Sequence, residues 1–224
     1  MRGYYEEGLA AERLRAVYDI APPRTKAYLE AEIDFVLGKI SPRMTVLELG
    51  CGYGRVLERL AGKARLAIGI DTSIASLRMA RSRLGAARGL GLAATDASAL
   101  AFAAGSFDLT ICIQNGVSAF HVDRGKLFAE AVRVTRPGGT VLFSSYAERF
   151  WNDRLEWFEA QAAEGLIGPI DREATRDGVI VCTDGFRATT VSAEEFRALA
   201  AEVGVEPRIV EVDGSSLFCE LVAP

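Results

Sequence analysis

The sequence predicts an α/β fold built on a doubly wound, mostly parallel sheet, and three observations carry that prediction. Short apolar runs bounded by Gly or Asp recur from residue 45 onward. They alternate with amphipathic segments, the pattern of right-handed strand–helix–strand crossovers. The first run, Thr45-Val46-Leu47-Glu48-Leu49, leads straight into Gly50, Gly52 and Gly54, the residues that let a backbone turn tightly from strand to helix.

The elements follow in order. Residues 9–40 read as helix broken at Pro22-Pro23. Leu9, Leu14, Val17 and Tyr18 make a first apolar stripe, Tyr28, Leu29, Ile33, Phe35, Val36, Leu37 and Ile40 a second, and Ser41-Pro42 ends the arm. Strands are expected at 45–49, 67–70, 90–94, 107–113 and 140–145, with helices at 54–62, 73–84 and 124–136, the last stopped by Pro137-Gly138-Gly139. Arg78, Arg81, Arg83 and Arg88 read as a solvated helix face. Regularity lapses between Tyr146 and Thr190: a helix is expected over 149–164, and Asp184-Gly185 signals a two-residue hairpin between 179–183 and 186–191. Ser192 and Glu195 form a capping-box pattern for a helix to Gly204, and strands at 208–212 and 217–222 flank the turn pair Asp213-Gly214.

Composition narrows the function. The chain of 224 residues corresponds to roughly one and a half average domains, read as one domain with additions. Half the residues are apolar and 26 basic against 30 acidic side chains leave a net charge of −4. That balance disfavours a nucleic-acid partner. Cys51, Cys112, Cys182 and Cys219 show no metal-ligand spacing and no disulfide framework, and His121 is the single histidine, so no metal is expected. The N-terminal residues lack the apolar core of a signal peptide and no apolar run reaches ~18 residues. The expectation is a reduced, cytoplasmic protein with no membrane partner, as monomer or homodimer.

In open α/β sheets ligands sit beyond the carboxyl ends of the strands. There the chain places Glu48 to Gly54, then Asp71-Thr72-Ser73, then Asp96-Ala97, then Gln114-Asn115-Gly116. A helix starting near Gly54 presents free N–H groups to a polar or anionic ligand, although the glycines alone also fit an empty tight turn. A carboxylate at Asp71 can accept both hydroxyls of a ribose or simply cap the next helix; Asp96 equally fits a turn cap. The dinucleotide fingerprint G-x-G-x-x-G/A fails, because Arg55 stands where the third small residue belongs.

The pattern here is instead E-x-G-x-G-x-G, and it resembles the class I methyltransferases that use S-adenosylmethionine. Val46–Gly54 is similar to that family's first motif, Ile68–Ser73 to its second, Ala94–Ala97 to its third, Phe107–Ile111 to its fourth, and Arg133–Leu142 to its Pro-Gly-Gly segment. The resemblance spans about residues 44–145 and implies a Rossmann-like, seven-stranded sheet with an antiparallel last strand. It implies an N-terminal helical arm or lid at 1–43 and a domain at 44–224, with the 146–190 insertion after the fifth strand capping the acceptor. By the same resemblance Asp71 holds the ribose, Asp96 meets the adenine amino group, and Glu48, Gly50, Cys51, Gly52, Gly54, Thr72, Ala97, Gln114 and Asn115 complete the S-adenosylmethionine site, with S-adenosylhomocysteine as product.

The implied activity is in-line methyl transfer to an N, O or S nucleophile. The Gln114–His121 stretch lacks the Asn/Asp-Pro-Pro-Tyr/Phe run of nucleic-acid amino-methylating enzymes, which with the acidic charge points to a small-molecule acceptor. No cysteine pair resembles the arsenic methyltransferases. His121 is the candidate base or acceptor contact; its alternative is a loop histidine beside the helix capped at Asp123. Tyr5 and Tyr18 (with Tyr4) are candidate lid residues, and Tyr146, Trp151 and Asn115 candidate acceptor contacts, with core packing the rival for Tyr18 and for the aromatic face of Trp151 and Phe158. Alternative functions are a non-catalytic S-adenosylmethionine-binding or scaffold protein, an aminopropyl transferase, disfavoured by the neutral Gln114-Asn115, and a nicotinamide dehydrogenase, disfavoured by Arg55.

Overall fold

A computed structural model describes residues 9–224; Tyr4 and Tyr5 lie outside the described residues. Helices α1 (Glu12–Asp19) and α2 (Pro23–Leu37) come first. Pro22 is extended and Pro23 starts α2, where a missing N–H costs nothing. Then come β1 (Thr45–Leu49), α3 (Arg55–Leu60), β2 (Leu66–Asp71), α4 (Ile74–Leu84), β3 (Leu90–Ala94) and β4 (Phe107–Cys112). A single turn α5 (Gly116–Ala119) leads to α6 (Arg124–Val134) and β5 (Thr135–Tyr146). The chain continues through a 3-10 turn at Glu148–Phe150, α7 (Trp151–Ala163), a short ribbon of β6 (Ile180–Val181) and β7 (Arg187–Ala188), α8 (Ala193–Glu202), β8 (Arg208–Val212) and β9 (Ser216–Val222).

Seven strands form one sheet in the order β3-β2-β1-β4-β5-β9-β8. β1, β2, β3, β4 and β5 are parallel, and β9 runs antiparallel to both β5 and β8. This is the doubly wound sheet expected from the sequence. β1 is buried along its whole length, as a strand covered on both faces must be. The order reverses between β1 and β4, so the crevice beyond their carboxyl ends is where such a sheet accepts a ligand.

Three apolar clusters build the core. On one face α6 and α8 bring Phe128, Ala131, Phe196 and Ala200 onto Leu47, Val141 and Phe143. On the other, Ile33 and Val36 of α2 and Leu57 of α3 cover Val46, Ile111 and Phe218. The third cluster joins Leu9 and Val17 of the arm to Tyr146, Trp157, Phe158 and Ile180. The arm is therefore divided: α1 packs with the insertion, whereas α2 covers the sheet with Ile33 and Val36 and joins the insertion cluster through Tyr28 and Leu29. Gln114, Asn115 and His121, in the segment after β4, all have positive φ without being glycine, a conformation that costs energy and concentrates at functional sites.

Several boundaries differ from the sequence expectation. The helix expected over 54–62 ends at Leu60 and the one expected over 124–136 ends at Val134. The Pro137-Gly138-Gly139 segment does not precede the fifth strand but lies inside it, as an irregularity where pairing shifts from Phe107↔Thr135 to Leu109↔Thr140. The turn at Asp184-Gly185 has three residues instead of two. The Cys182 N–H donates to the Phe186 carbonyl, the Gly185 N–H to that of Cys182, and only Gly185 has positive φ, so the hairpin closes with a single left-handed residue. At Asp213-Gly214 both residues have positive φ, as that pair predicts.

Candidate functional site

One cavity of about 420 Å3 opens beyond β1 and β4. Its floor is the glycine loop. Gly50, Gly52 and Gly54 have φ of 73°, 52° and 85°, values that an L side chain rarely adopts. A Cβ on Gly50 would collide with the ring of Phe120, and one on Gly52 would stand 2.9 Å from Leu14. The loop is pinned from the neighbouring strand: Cys51 N–H donates to the Ile70 carbonyl at 2.8 Å, and Gly52 N–H to Asp71 Oδ2 at 2.9 Å. Asp71 Oδ1 accepts from Ser73 N–H at 2.8 Å. These two bonds clamp both oxygens of the Asp71 carboxylate at the end of β2.

The same cavity wall contains Glu48, Gly50, Cys51, Gly52, Asp71, Thr72, Asp96, Ala97, Gln114, Asn115 and His121. Of the residues the sequence singled out there, Gly54 acts from behind, as the left-handed cap of α3. Asp96 is exposed and its Oδ1 accepts from both the N–H and hydroxyl of Ser98 at 2.7 Å, the turn cap that was its alternative reading. Both ends of the Asn115 amide are engaged: Oδ1 accepts from the Ser145 hydroxyl at 2.8 Å and Nδ2 donates to the Thr189 carbonyl at 2.9 Å. It ties the loop after β4 to the insertion. His121 is exposed at the cavity rim, and the cap of α6 is Asp123, which accepts from Lys126 N–H.

Glu48 and Arg55 give the floor its charge. Glu48 is buried at the end of β1, and its Oε2 has no hydrogen-bond partner. Burial pushes its carboxyl up to about 8, with Arg55 pulling it down and Asp71 pushing it further up. Arg55 keeps Nε and Nη2 without partners while its guanidinium lies 4.6 Å from the Tyr18 ring centre. Unsatisfied buried polar atoms cost about 1–3 kcal/mol each, and here an acceptor and donors stand unsatisfied on one cavity wall.

The roof comes from the arm and the insertion. Tyr18 contacts both Tyr53 and Trp157 at 6.0 Å between ring centres, and Trp157 Nε1 donates to the Val17 carbonyl at 2.9 Å. Ser76 accepts from the Ala11 N–H, and Arg13 donates to the Leu166 carbonyl. Tyr146 and Phe158 line the cavity as well. Trp151 does not: the helical face that reaches the cavity carries 157, 158 and 161, and Trp151 lies 5.9 Å from the Arg154 guanidinium, on the side where that buried side chain also covers Tyr146.

Sequence reasoning missed three polar residues embedded in apolar stripes. Glu32, on the buried face of α2 with Leu29 and Val36, accepts from Gln114 N–H at 2.6 Å, from the Ser144 hydroxyl at 2.9 Å and from the Ser216 hydroxyl. It joins the ends of β4, β5 and β9, and burial lifts its carboxyl to about 7 against those hydrogen bonds. Arg154 and Gln161 lie on the buried face of α7 with Trp157 and Phe158. A charged or amide residue at an otherwise apolar helical position is the signal that marks all three.

Residues 46–139 match the methyltransferase domain family. The chain is 33% identical over 203 residues to the arsenite methyltransferase of Aquipseudomonas alcaligenes, covering 78% of this chain and 56% of that protein. It is 36% identical over 110 residues to the malonyl-[acyl-carrier protein] O-methyltransferase of Legionella pneumophila, covering 48% of this chain and 37% of that one. The chain thus spans only part of the length of these relatives. A SAM-dependent methyltransferase from Aquifex aeolicus has the same fold, with a TM-score of 0.63 at 14% identity, covering 94% of this chain and 98% of that one.

Proposed function

We propose, from the premise that this chain carries a methyltransferase domain over residues 46–139, that it transfers the methyl group of S-adenosylmethionine to a small organic acceptor. The observation that carries this reading is the pair of unsatisfied buried groups on the glycine loop, Glu48 Oε2 and the Nε and Nη2 of Arg55. An amino-acid ligand end, with one ammonium and one carboxylate, supplies the partners both lack. Asp71, clamped at the end of β2, would take the ribose hydroxyls, and Asp96 with Ala97 would meet the adenine. The glycine loop leaves room for close approach of the ligand to the backbone.

Bound S-adenosylmethionine supplies an electrophilic methyl on a cationic sulfonium. The chain's own part is to hold the acceptor in line and exclude water, and positioning of this kind accounts for much of a two-substrate barrier. Tyr18, Trp157 and Phe158 close the roof over that space. His121 at the rim would take the proton of an acceptor that carries one. Arsenite, the substrate named for one relative, is not the acceptor proposed: metalloid capture uses thiolates, whereas burial raises the pKa of Cys51, Cys112, Cys182 and Cys219.

Titration with S-adenosylhomocysteine tests the cofactor assignment, since a ligand of the folded state raises the melting temperature; no shift at saturation refutes it. A screen of pooled metabolites with methyl-labelled S-adenosylmethionine tests the transfer. With an acceptor in hand, His121→Gln slows transfer about a hundredfold if His121 is the base, with S-adenosylhomocysteine affinity unchanged.

A further inference from the structure

The part of the cavity wall formed by the arm and the insertion is aromatic and aliphatic: Val17, Tyr18, Tyr146, Trp157 and Phe158. One amide interrupts it. Gln161 lies one helical turn beyond Trp157 and Phe158 on α7, is 2% exposed, and lines the same cavity. None of the side-chain hydrogen bonds among the described residues uses its amide. A second amide on the cavity, Gln114 from the segment after β4, has its Nε2 buried with no partner. Buried amides are normally satisfied; Gln114 Nε2 is buried without a partner, and the Gln161 amide opens on the same cavity with no protein group among the described residues bonded to it, so both offer hydrogen-bonding capacity to a ligand.

We infer that Gln161 recognises the acceptor, and that the acceptor is an uncharged aromatic molecule bearing a hydroxyl or carbonyl group. This deepens the methyl-transfer reading and rests on it. Flat aromatic faces suit the surrounding rings. A carboxamide can both donate to and accept from one polar group. The acidic groups on the cavity wall, Glu48, Asp71 and Asp96, belong to the glycine loop and neighbouring strand ends, and Arg187 is exposed at the rim. Arg55 covers Tyr18 from the glycine-loop side, but the α7 residues that line the cavity, Trp157, Phe158 and Gln161, include no ionised side chain, so an acceptor charged beside Gln161 would lose its hydration without gaining a counter-ion. The guanidinium of Arg154 lies 4.6 Å from the Tyr146 ring centre and 5.4 Å from that of Phe158, which takes one face of each ring from any cationic guest.

The test uses an isosteric pair, 2-naphthol and 2-methylnaphthalene, titrated by ligand-observed NMR with and without saturating S-adenosylhomocysteine. The full chain should bind the naphthol about tenfold more tightly than the hydrocarbon, the size expected when a buried amide gains or lacks its partner. Gln161→Leu and Gln161→Met should reduce that preference to within about twofold, leaving hydrocarbon and S-adenosylhomocysteine affinities unchanged. Two apolar replacements of different shape guard against a packing artefact in either one. Equal binding of the two probes by the unaltered chain overturns the inference, as does a preference that survives both substitutions. Loss of S-adenosylhomocysteine binding in these variants also overturns it, by moving Gln161 to the cofactor. Failure of the unaltered chain to bind S-adenosylhomocysteine refutes the methyl-transfer reading instead, and the probe preference measured without it still decides the role of Gln161.

Discussion

The two halves of the cavity are built on different principles. The floor, between β1 and β4, is shaped by backbone, by left-handed glycines and N–H groups clamped by Asp71, with the unsatisfied side chains of Glu48 and Arg55 at either end of the loop. The roof is made by side chains that meet only in three dimensions, Tyr18 from α1 and Trp157, Phe158 and Gln161 from α7. A backbone-built surface is constrained at every position and suits a ligand that does not change. A side-chain-built surface tolerates replacement and is where choice of acceptor can vary without disturbing the fold.

If that contrast holds, damage to the floor costs far more than damage to the roof. The largest effect is expected for Gly50→Ala. The added Cβ meets Phe120 in a backbone conformation of positive φ, at about 2–4 kcal/mol of stability; denaturation should show that loss, and calorimetry an S-adenosylhomocysteine affinity weakened about a hundredfold. Asp71→Ala comes next. It removes the acceptor of the Gly52 and Ser73 N–H groups, and affinity should fall at least tenfold, ~1.4 kcal/mol; unchanged affinity would detach Asp71 from the ligand.

A third effect is pH-dependent. Glu48 and Glu32 titrate near 8 and 7, above their ordinary value of 4.5. Their stabilising contribution is therefore complete below about 4.5 and is lost as pH rises through 7 to 8. The melting temperature of the free protein should fall between pH 6 and 8.5. The affinity for S-adenosylhomocysteine should move the opposite way, rising roughly tenfold over that interval as Glu48 ionises to meet the ligand ammonium, and Glu48→Gln should flatten it. The smallest effect belongs to the roof. Trp157→Phe removes the bond to the Val17 carbonyl, costing about 1 kcal/mol of stability, and should leave S-adenosylhomocysteine affinity within about twofold; a larger loss would erase the distinction between floor and roof.

How much of this was legible in the chain follows the same division. The glycine loop, Asp71 and the strand alternation are local patterns, because a tight turn or a buried strand is determined by residues adjacent in sequence. The loop after β4 was located, but not the commitment of Asn115 to Ser145 and Thr189, which depends on partners 30 and 74 residues away. Trp151 and Trp157 are both aromatic on one helix, and only the orientation of α7 puts Trp157 at the cavity and Trp151 beside Arg154. Glu32 illustrates the limit most clearly. In the sequence it is one acidic residue in an apolar stripe; in the fold it gathers the ends of three strands.

The sequence by itself determined the sheet, its order of elements and the floor of the cavity, because hydrophobic period and glycine conformation act over a few residues. Tertiary structure alone decided the roof: which side chains of the arm and the insertion face inward, which buried polar groups are satisfied, and which, like Gln161, are left for a ligand. Those outcomes depend on how distant surfaces pack together, and burial and hydrogen-bond satisfaction are properties of that packing.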